Sequence, residues 1–200
     1  MKNPILIIIA GPNGSGKTSI THKVLQHEWL ADCVYINPDD IAKNTFGDWN
    51  SYEAVMKAAK LSTQMREDCI AEGKSLIFET VLSADDKVDF VKRAKEKGYF
   101  IRLFFVGTES PTINASRIAR RVMEGGHDVP IPKIISRYSK SIVNCCKVAK
   151  IVDRAYVYDN SVEFAEPTLL FRVIDGMLVK EYTMLVQWGQ SMLDFIKSNE

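Results

Sequence analysis

The chain has 200 residues, 46% of them hydrophobic, enough to build one α/β domain around a sizeable core. Lysine plus arginine (26) and aspartate plus glutamate (25) nearly cancel to a net charge of +1, so no global basic field marks a nucleic-acid binder. The four cysteines, Cys33, Cys69, Cys145 and Cys146, lack metal-binding spacing and read as reduced thiols of a cytoplasmic protein.

The first element is the apolar run Ile5–Ala10. It is too short to span a bilayer and runs straight into glycines, so it reads as a buried strand and not as a signal peptide or anchor. Gly11-Pro12-Asn13-Gly14-Ser15-Gly16-Lys17-Thr18 follows, then a helix from Ser19 to Glu28. This is the pattern G-x-x-x-x-G-K-[ST] between a strand and a helix, the setting of a phosphate-binding P-loop. The spacing has a chemical reason. The glycines permit backbone angles that turn successive N–H groups inward around an anion. The helix N-terminus adds partial positive charge there. Lys17 is placed to reach the β- and γ-phosphates of ATP, and the Thr18 hydroxyl to ligate Mg²⁺.

Downstream, Cys33–Asn37 reads as a second strand, broken by Pro38 so that Asp39 and Asp40 fall in a turn. A helix over about Ser51–Glu72 is closed by Gly73, and Ser75–Phe78 is a third strand ending at Glu79-Thr80. The helix Ala84–Lys97, the strand Tyr99–Val106 and the helix Pro111–Glu124 come next. After Gly125-Gly126-His127-Asp128-Val129-Pro130, a helix covers Lys133–Val152 and a fifth strand Ala155–Tyr158. Such alternation predicts a P-loop NTPase, nucleoside-kinase-like three-layer sandwich with a mainly parallel five-stranded sheet. Residues Leu169–Ile174 and Leu178–Tyr182, joined by Asp175-Gly176, read as a hairpin before a helix from Met184 to Ser198. The whole, residues 1–200, is expected to be a single domain with a helical lid at about 117–137 and a C-terminal appendage at about 165–200.

Ligands of open α/β sheets bind beyond the carboxyl ends of the strands. Asp39 stands at one such end as the first candidate for a general base toward an acceptor hydroxyl or a Mg²⁺ ligand through water, with Asp40 beside it the lesser candidate, since one of the pair is expected to cap a helix. Glu79 closes an apolar strand, where a carboxylate needs compensation such as Mg²⁺. Arg117 and Arg121, four apart, share a helix face before Gly125-Gly126, and Arg137 follows Pro132. An arginine-bearing segment hinged by glycines can close over a transferring phosphoryl group, with Arg121 and Arg137 as the catalytic candidates. His127 reads as a structural loop residue.

The pieces Gly11–Thr18, Tyr35-Ile36-Asn37-Pro38-Asp39, Phe78-Glu79-Thr80 and Arg117–Pro130 continuing to Arg137-Tyr138 resemble the zeta toxin family of P-loop kinases, in its short ABC-ATPase-like bacterial branch. The resemblance implies ATP as donor, Asp39 as general base, and Arg117, Arg121 and Arg137 as phosphate-holding lid residues. It also implies an acceptor such as the 3′-hydroxyl of a UDP-N-acetylhexosamine and a small antitoxin partner that blocks the ATP site. A small-molecule kinase is therefore the leading expectation. A P-loop ATPase or nucleotide-dependent switch acting through a partner is the second. A polynucleotide 5′-kinase is the third, opposed by the near-neutral charge and the lack of a basic aromatic stripe along the chain.

Overall fold

A computed structural model describes residues 3–27, 30, 32–47 and 50–198. The elements in chain order are β1 (Ile5–Ala10), α1 (Lys17–Leu25), β2 (Val34–Ile36), α2 (Pro38–Phe46), α3 (Tyr52–Glu72), β3 (Leu76–Thr80) and α4 (Asp85–Glu96). Then come β4 (Phe100–Gly107), α5 (Pro111–Met123), α6 (Ile131–Ala149), β5 (Arg154–Asp159), β6 (Thr168–Ile174), β7 (Met177–Glu181) and α7 (Gln187–Lys197). The strands form one sheet in the order β2-β3-β1-β4-β5-β6-β7. From β2 to β5 every pairing is parallel.

β1 lies inside this sheet, and Leu6 through Ala10 are wholly shielded from solvent. A strand buried on both faces has to be apolar at every position, which is why Ile5–Ala10 shows no alternation. Leu6, Ile8 and Ala10 join the larger core beneath α4, α6 and α7. Ile7 and Ile9 face α1, packing with Ile20 and Val24.

The sheet has seven strands, which corrects the expectation of five. β5 pairs antiparallel with β6, and β6 with β7, so the hairpin extends the main sheet. Asp175 and Gly176 both take positive φ (47° and 79°), the backbone of a tight hairpin turn whose twist suits the flanking strands. Leu170, Phe171 and Val173 of β6 are buried in the same cluster as Ala155 and Val157 of β5. What looks like an appendage along the chain thus shares the main core.

A second difference lies after β2, where Asp39 and Asp40 stand in the first turn of a separate helix, α2. Asn37 caps it by accepting the Asp39 amide hydrogen on Oδ1 at 2.9 Å, and Pro38 takes the first helical position, where its missing N–H costs nothing. Gly47 at φ 80° ends the helix. α1 begins at Lys17, earlier than Ser19, because Gly16 in the left-handed region (φ 89°) turns the chain directly into the helix. Glu28, its expected end, lies outside the described residues.

Phe171→Ala tests whether the hairpin belongs to the main cooperative unit. Removing a fully buried ring should cost ~3–5 kcal/mol and shift the whole urea transition. A separate early transition, with the main one unmoved, would mark the hairpin as independent.

Candidate active site

The P-loop hangs from β1, whose neighbours β3 and β4 limit how its backbone can run. A Cβ built on Gly11 would lie 2.1 Å from the Val106 carbonyl oxygen, and one on Gly14 2.6 Å from the Asn114 carbonyl oxygen. Glycine is therefore required by close backbone approach as well as by the loop's positive φ angles. The amides of Gly14, Gly16, Lys17 and Thr18 have no main-chain acceptor among the described residues. They sit at the N-terminus of α1, so an anion finds both N–H donors and the helix dipole in one place.

Lys17 arches over the loop and donates from Nζ to the carbonyl oxygens of Gly11 (3.1 Å) and Pro12 (3.2 Å). Burial holds its ammonium pKa below that of a free lysine; the Glu79 and Asp39 carboxylates oppose this, and the Arg121 guanidinium adds to it.

Two asparagines that sequence reasoning does not single out hold the loop from outside. Asn114 of α5 is fully buried and donates from Nδ2 to the Asn13 carbonyl at 2.7 Å. Its Oδ1 accepts from the Thr108 hydroxyl at the end of β4, and the Thr108 carbonyl accepts from Tyr138 of α6 at 2.5 Å. Asn160, just past β5, donates from Nδ2 to the Ser15 carbonyl at 2.8 Å, while its own amide bonds to Gly107 at 2.9 Å. The signal in the chain is weak: an asparagine inside a helix and another at a strand end, where local polar bonding is common.

Glu79 is half-buried at the end of β3. Its Oε2 accepts hydrogen bonds from Thr21 (2.8 Å) and Tyr35 (3.4 Å), and the Tyr35 hydroxyl accepts from Asn37 Nδ2 at 3.2 Å. Burial, then the Glu79 charge, pushes the Tyr35 phenol far above its ordinary range, so it remains a donor. Thr21 and Tyr35 thus supply part of the compensation that the carboxylate needs. For Asp40, burial and then the Asp39 carboxylate raise the pKa, opposed by Lys43.

These groups converge on a cleft with two adjoining lobes, of about 580 Å³ and about 230 Å³. Lys17, Asp39 and Glu79 border both lobes, whereas Asp40 and Thr18 border the larger alone. Arg117 and Arg121 of α5 also line the larger lobe, and Arg137 of α6 lines the smaller. His127 lies on both lobes. Arg120 turns away to pair with Glu163 and stack on Phe164. Glu109 is exposed, with its amide on the Ser161 hydroxyl, and borders neither lobe.

The arginines have specific moorings. Arg121 donates from Nε (3.2 Å) and Nη2 (2.8 Å) to the His127 carbonyl. Gly125 and Gly126 close α5 with amide bonds back to Val122 and Arg121, and a Cβ on Gly126 would strike Arg121 Cγ at 2.5 Å. Arg137 reaches the P-loop, donating from Nη1 to Asn13 Oδ1 at 3.4 Å. Arg117 donates from Nη2 to the Val162 carbonyl at 3.3 Å, leaving Nη1 buried without a hydrogen-bond partner among the described residues.

For a cation, the cleft offers oxygen donors beside the loop, among them the Thr18 hydroxyl and the Glu79 and Asp39 carboxylates. No cluster of three or more metal-ligating side chains occurs among the described residues. That set fits Mg²⁺, which is commonly held by one or two carboxylates together with phosphate oxygens and water. No helix among the described residues is long and apolar enough to cross a membrane.

With this geometry established, the relatives of the chain can be placed. The sequence profile of the zeta toxin family matches residues 1–165. An uncharacterised protein of Haemophilus influenzae is 28% identical over 132 residues, 66% of this chain and 91% of that protein. Among solved structures, one from the PezAT chromosomal toxin–antitoxin system of Streptococcus pneumoniae superposes with a TM-score of 0.63 at 17% identity, covering 98% of this chain and 85% of the other. The AvrRxo1-ORF1:-ORF2 complex gives 0.70 at 19% identity, covering 97% of this chain but 64% of that one. Its form with ATP gives 0.66 at 20% identity, over 88% of this chain and 60% of that chain. At these identities the structural likeness shows the fold.

The two asparagines generate a prediction. Asn114→Ala and Asn160→Ala each remove one bond to a P-loop carbonyl, worth ~1–3 kcal/mol when a buried partner is left unsatisfied. Each should weaken ATP binding ~5- to 100-fold in calorimetric titration while the circular dichroism spectrum is unchanged. Unaltered ATP affinity in both would show that the loop holds its shape without them.

Proposed function

We propose, for a chain that belongs to the zeta toxin family and is an ATP-dependent kinase, that the acceptor is the hydroxyl of a small molecule and that Asp39 removes its proton. The observation that carries this reading is the position of Lys17, Asp39 and Glu79 on both lobes of one cleft. A phosphate seated on the loop amides in one lobe and a hydroxyl entering from the other would meet beside Asp39. The resemblance to the family makes a UDP-amino sugar the first acceptor to test.

In this mechanism Gly11 through Thr18 bind the donor phosphates and Lys17 carries positive charge to the transferring group. Asp39 accepts the acceptor's proton as its oxygen attacks. Asp39 is favoured over Asp40 because it alone of the pair borders both lobes. Arg121 and Arg117 approach from α5 and Arg137 from α6, so that closure of the 117–137 segment brings guanidinium groups onto phosphate oxygens. Thr18 and Glu79 would hold Mg²⁺, which when bound neutralises phosphate charge. The protein is proposed to act in the cytoplasm, where its four free cysteines stay reduced, and to be checked by an antitoxin protein that covers the nucleotide cleft.

Incubation with γ-labelled ATP and a metabolite extract, read by mass spectrometry, tests the assignment. A new phosphomonoester is expected. Release of inorganic phosphate alone would favour an ATPase or switch. Lys17→Ala should lower turnover by ~10²–10³, the usual effect of removing a charge-stabilising group. Asp39→Asn should lower transfer at least ~10² with ATP affinity nearly unchanged, and Asp40→Asn should do much less. The reverse order would move the base by one residue. Arg121→Lys should impair turnover although charge is retained, because a lysine lacks the planar two-pronged donor. Full activity of that variant would leave Arg121 with only its structural bond to His127.

A further inference from the structure

Away from the cleft, one half of the sheet lies open. α1 packs on Ile7, Ile9 and Val106, but among the described residues no helix covers the same face of β5, β6 and β7. We propose that this open face binds single-stranded nucleic acid.

The face is built by register. Arg102 of β4 lies beside Arg154 of β5. In the next row, Phe104 lies beside Tyr156, Tyr156 beside Arg172 of β6, and Arg172 beside Lys180 of β7. The row therefore reads aromatic, aromatic, cation, cation across four adjacent strands. Neighbouring strands are ~4.8 Å apart, so across the two rows the cations from Arg102 on β4 to Lys180 on β7 extend over roughly 14 Å, enough for more than one phosphate.

The aromatic groups are ordered. Phe104 and Tyr156 stack at 5.0 Å with planes 9° apart, and the Arg102 and Arg154 guanidiniums lie over Phe100 at 5.3 and 5.6 Å. Against α1 the face deepens into an alcove of about 450 Å³, lined by Ile20, Val24, Phe104, Tyr156 and Tyr158 together with Lys23, His27 and Arg102.

Among the described residues, the charged groups that the register sets on this face are cations. Arg154, Arg172 and Lys180 form no ion pair among the described residues, and Arg172 Nε is buried without a hydrogen-bond partner there. A carboxylate at the border, Glu166, is paired with Lys23 at 2.5 Å, with both side chains mostly exposed. An anionic ligand supplies what these cations lack. The alcove narrows its class, because its apolar and aromatic walls suit a planar base, whereas an acidic side chain has no ring to place there. Phosphates on the arginine rows with a base in the alcove is the mixed mode by which proteins hold single strands.

The test uses the full chain and a fluorescein-labelled ten-nucleotide oligouridylate, read by anisotropy. Binding is expected, and it should weaken as salt rises. Arg154→Ala/Arg172→Ala should weaken it at least ~10-fold and reduce the slope of log K against log salt by about 1.4, ~0.7 for each phosphate no longer neutralised. Tyr156→Ala should cost ~5-fold or more by loss of stacking. Lys180→Glu at an exposed position of β7 should also weaken binding, a charge reversal that leaves the core untouched. All three variants should keep wild-type ATP turnover, and Lys17→Ala should keep oligonucleotide binding. No binding at low salt overturns the proposal, as does equal affinity in the double variant. Equal displacement by decaglutamate would make the face a site for acidic polypeptides, and loss of binding in Lys17→Ala would place the oligonucleotide in the cleft. Either result also overturns it.

Discussion

The constraint on which the rest depends is the contact between the Gly11 backbone and the carbonyl of Val106, too close for any Cβ. It sits where β1 leaves the sheet between β3 and β4. The chain there must turn sharply enough to begin α1 at Lys17, and the turn leaves the loop amides facing a single point. A strand with solvent on either side could not enforce this, because it would relax away from the contact. The five fully buried residues Leu6 to Ala10 make β1 a rigid support.

From that support outward, the site is assembled by groups that bind the loop or face it. Asn114 and Asn160 hold two P-loop carbonyls, and Arg137 reaches the Asn13 side chain. The chain Tyr138–Thr108–Asn114–Asn13 joins α6, the end of β4, α5 and the loop through two buried hydrogen bonds and one part-buried one. The helices α5 and α6 and the P-loop are thus parts of one bonded structure, and a displacement of either helix is felt at Asn13. On the opposite side, Glu79 sits half-buried and accepts hydrogen bonds from Thr21 and Tyr35. The carboxylates and Lys17 then stabilise one another across the cleft, while burial works against the ammonium.

Much of this is legible along the chain. Alternating strands and helices, the order of the parallel elements and the P-loop with its lysine are local patterns, and they appear where periodicity and glycine spacing place them. Asp39, Glu79, Arg117 and Arg121 all reach the larger lobe, because strand ends and a shared helix face are also local properties. The strand count is not legible, because a hairpin's turn and alternation do not reveal which sheet edge it joins. The helix α2 hides in an apparent turn, since Pro38 reads equally as a strand breaker and as the first residue of a capped helix.

The sequence by itself determined the phosphate-binding loop, the class of fold and the residue types available for phosphoryl transfer, since each depends on neighbours a few positions apart. Only the tertiary structure decided which distant groups meet. It brought Asn114 and Asn160 to the loop, turned Arg120 toward Glu163 while Arg121 entered the cleft, and set Arg102, Arg154, Arg172 and Lys180 on one face. A net charge of +1 conceals that face because charge is summed over the chain, whereas a field is summed over space. Strand register, set by burial of the opposite face in the core, brings Arg102 and Arg154 side by side although about fifty positions separate them along the chain.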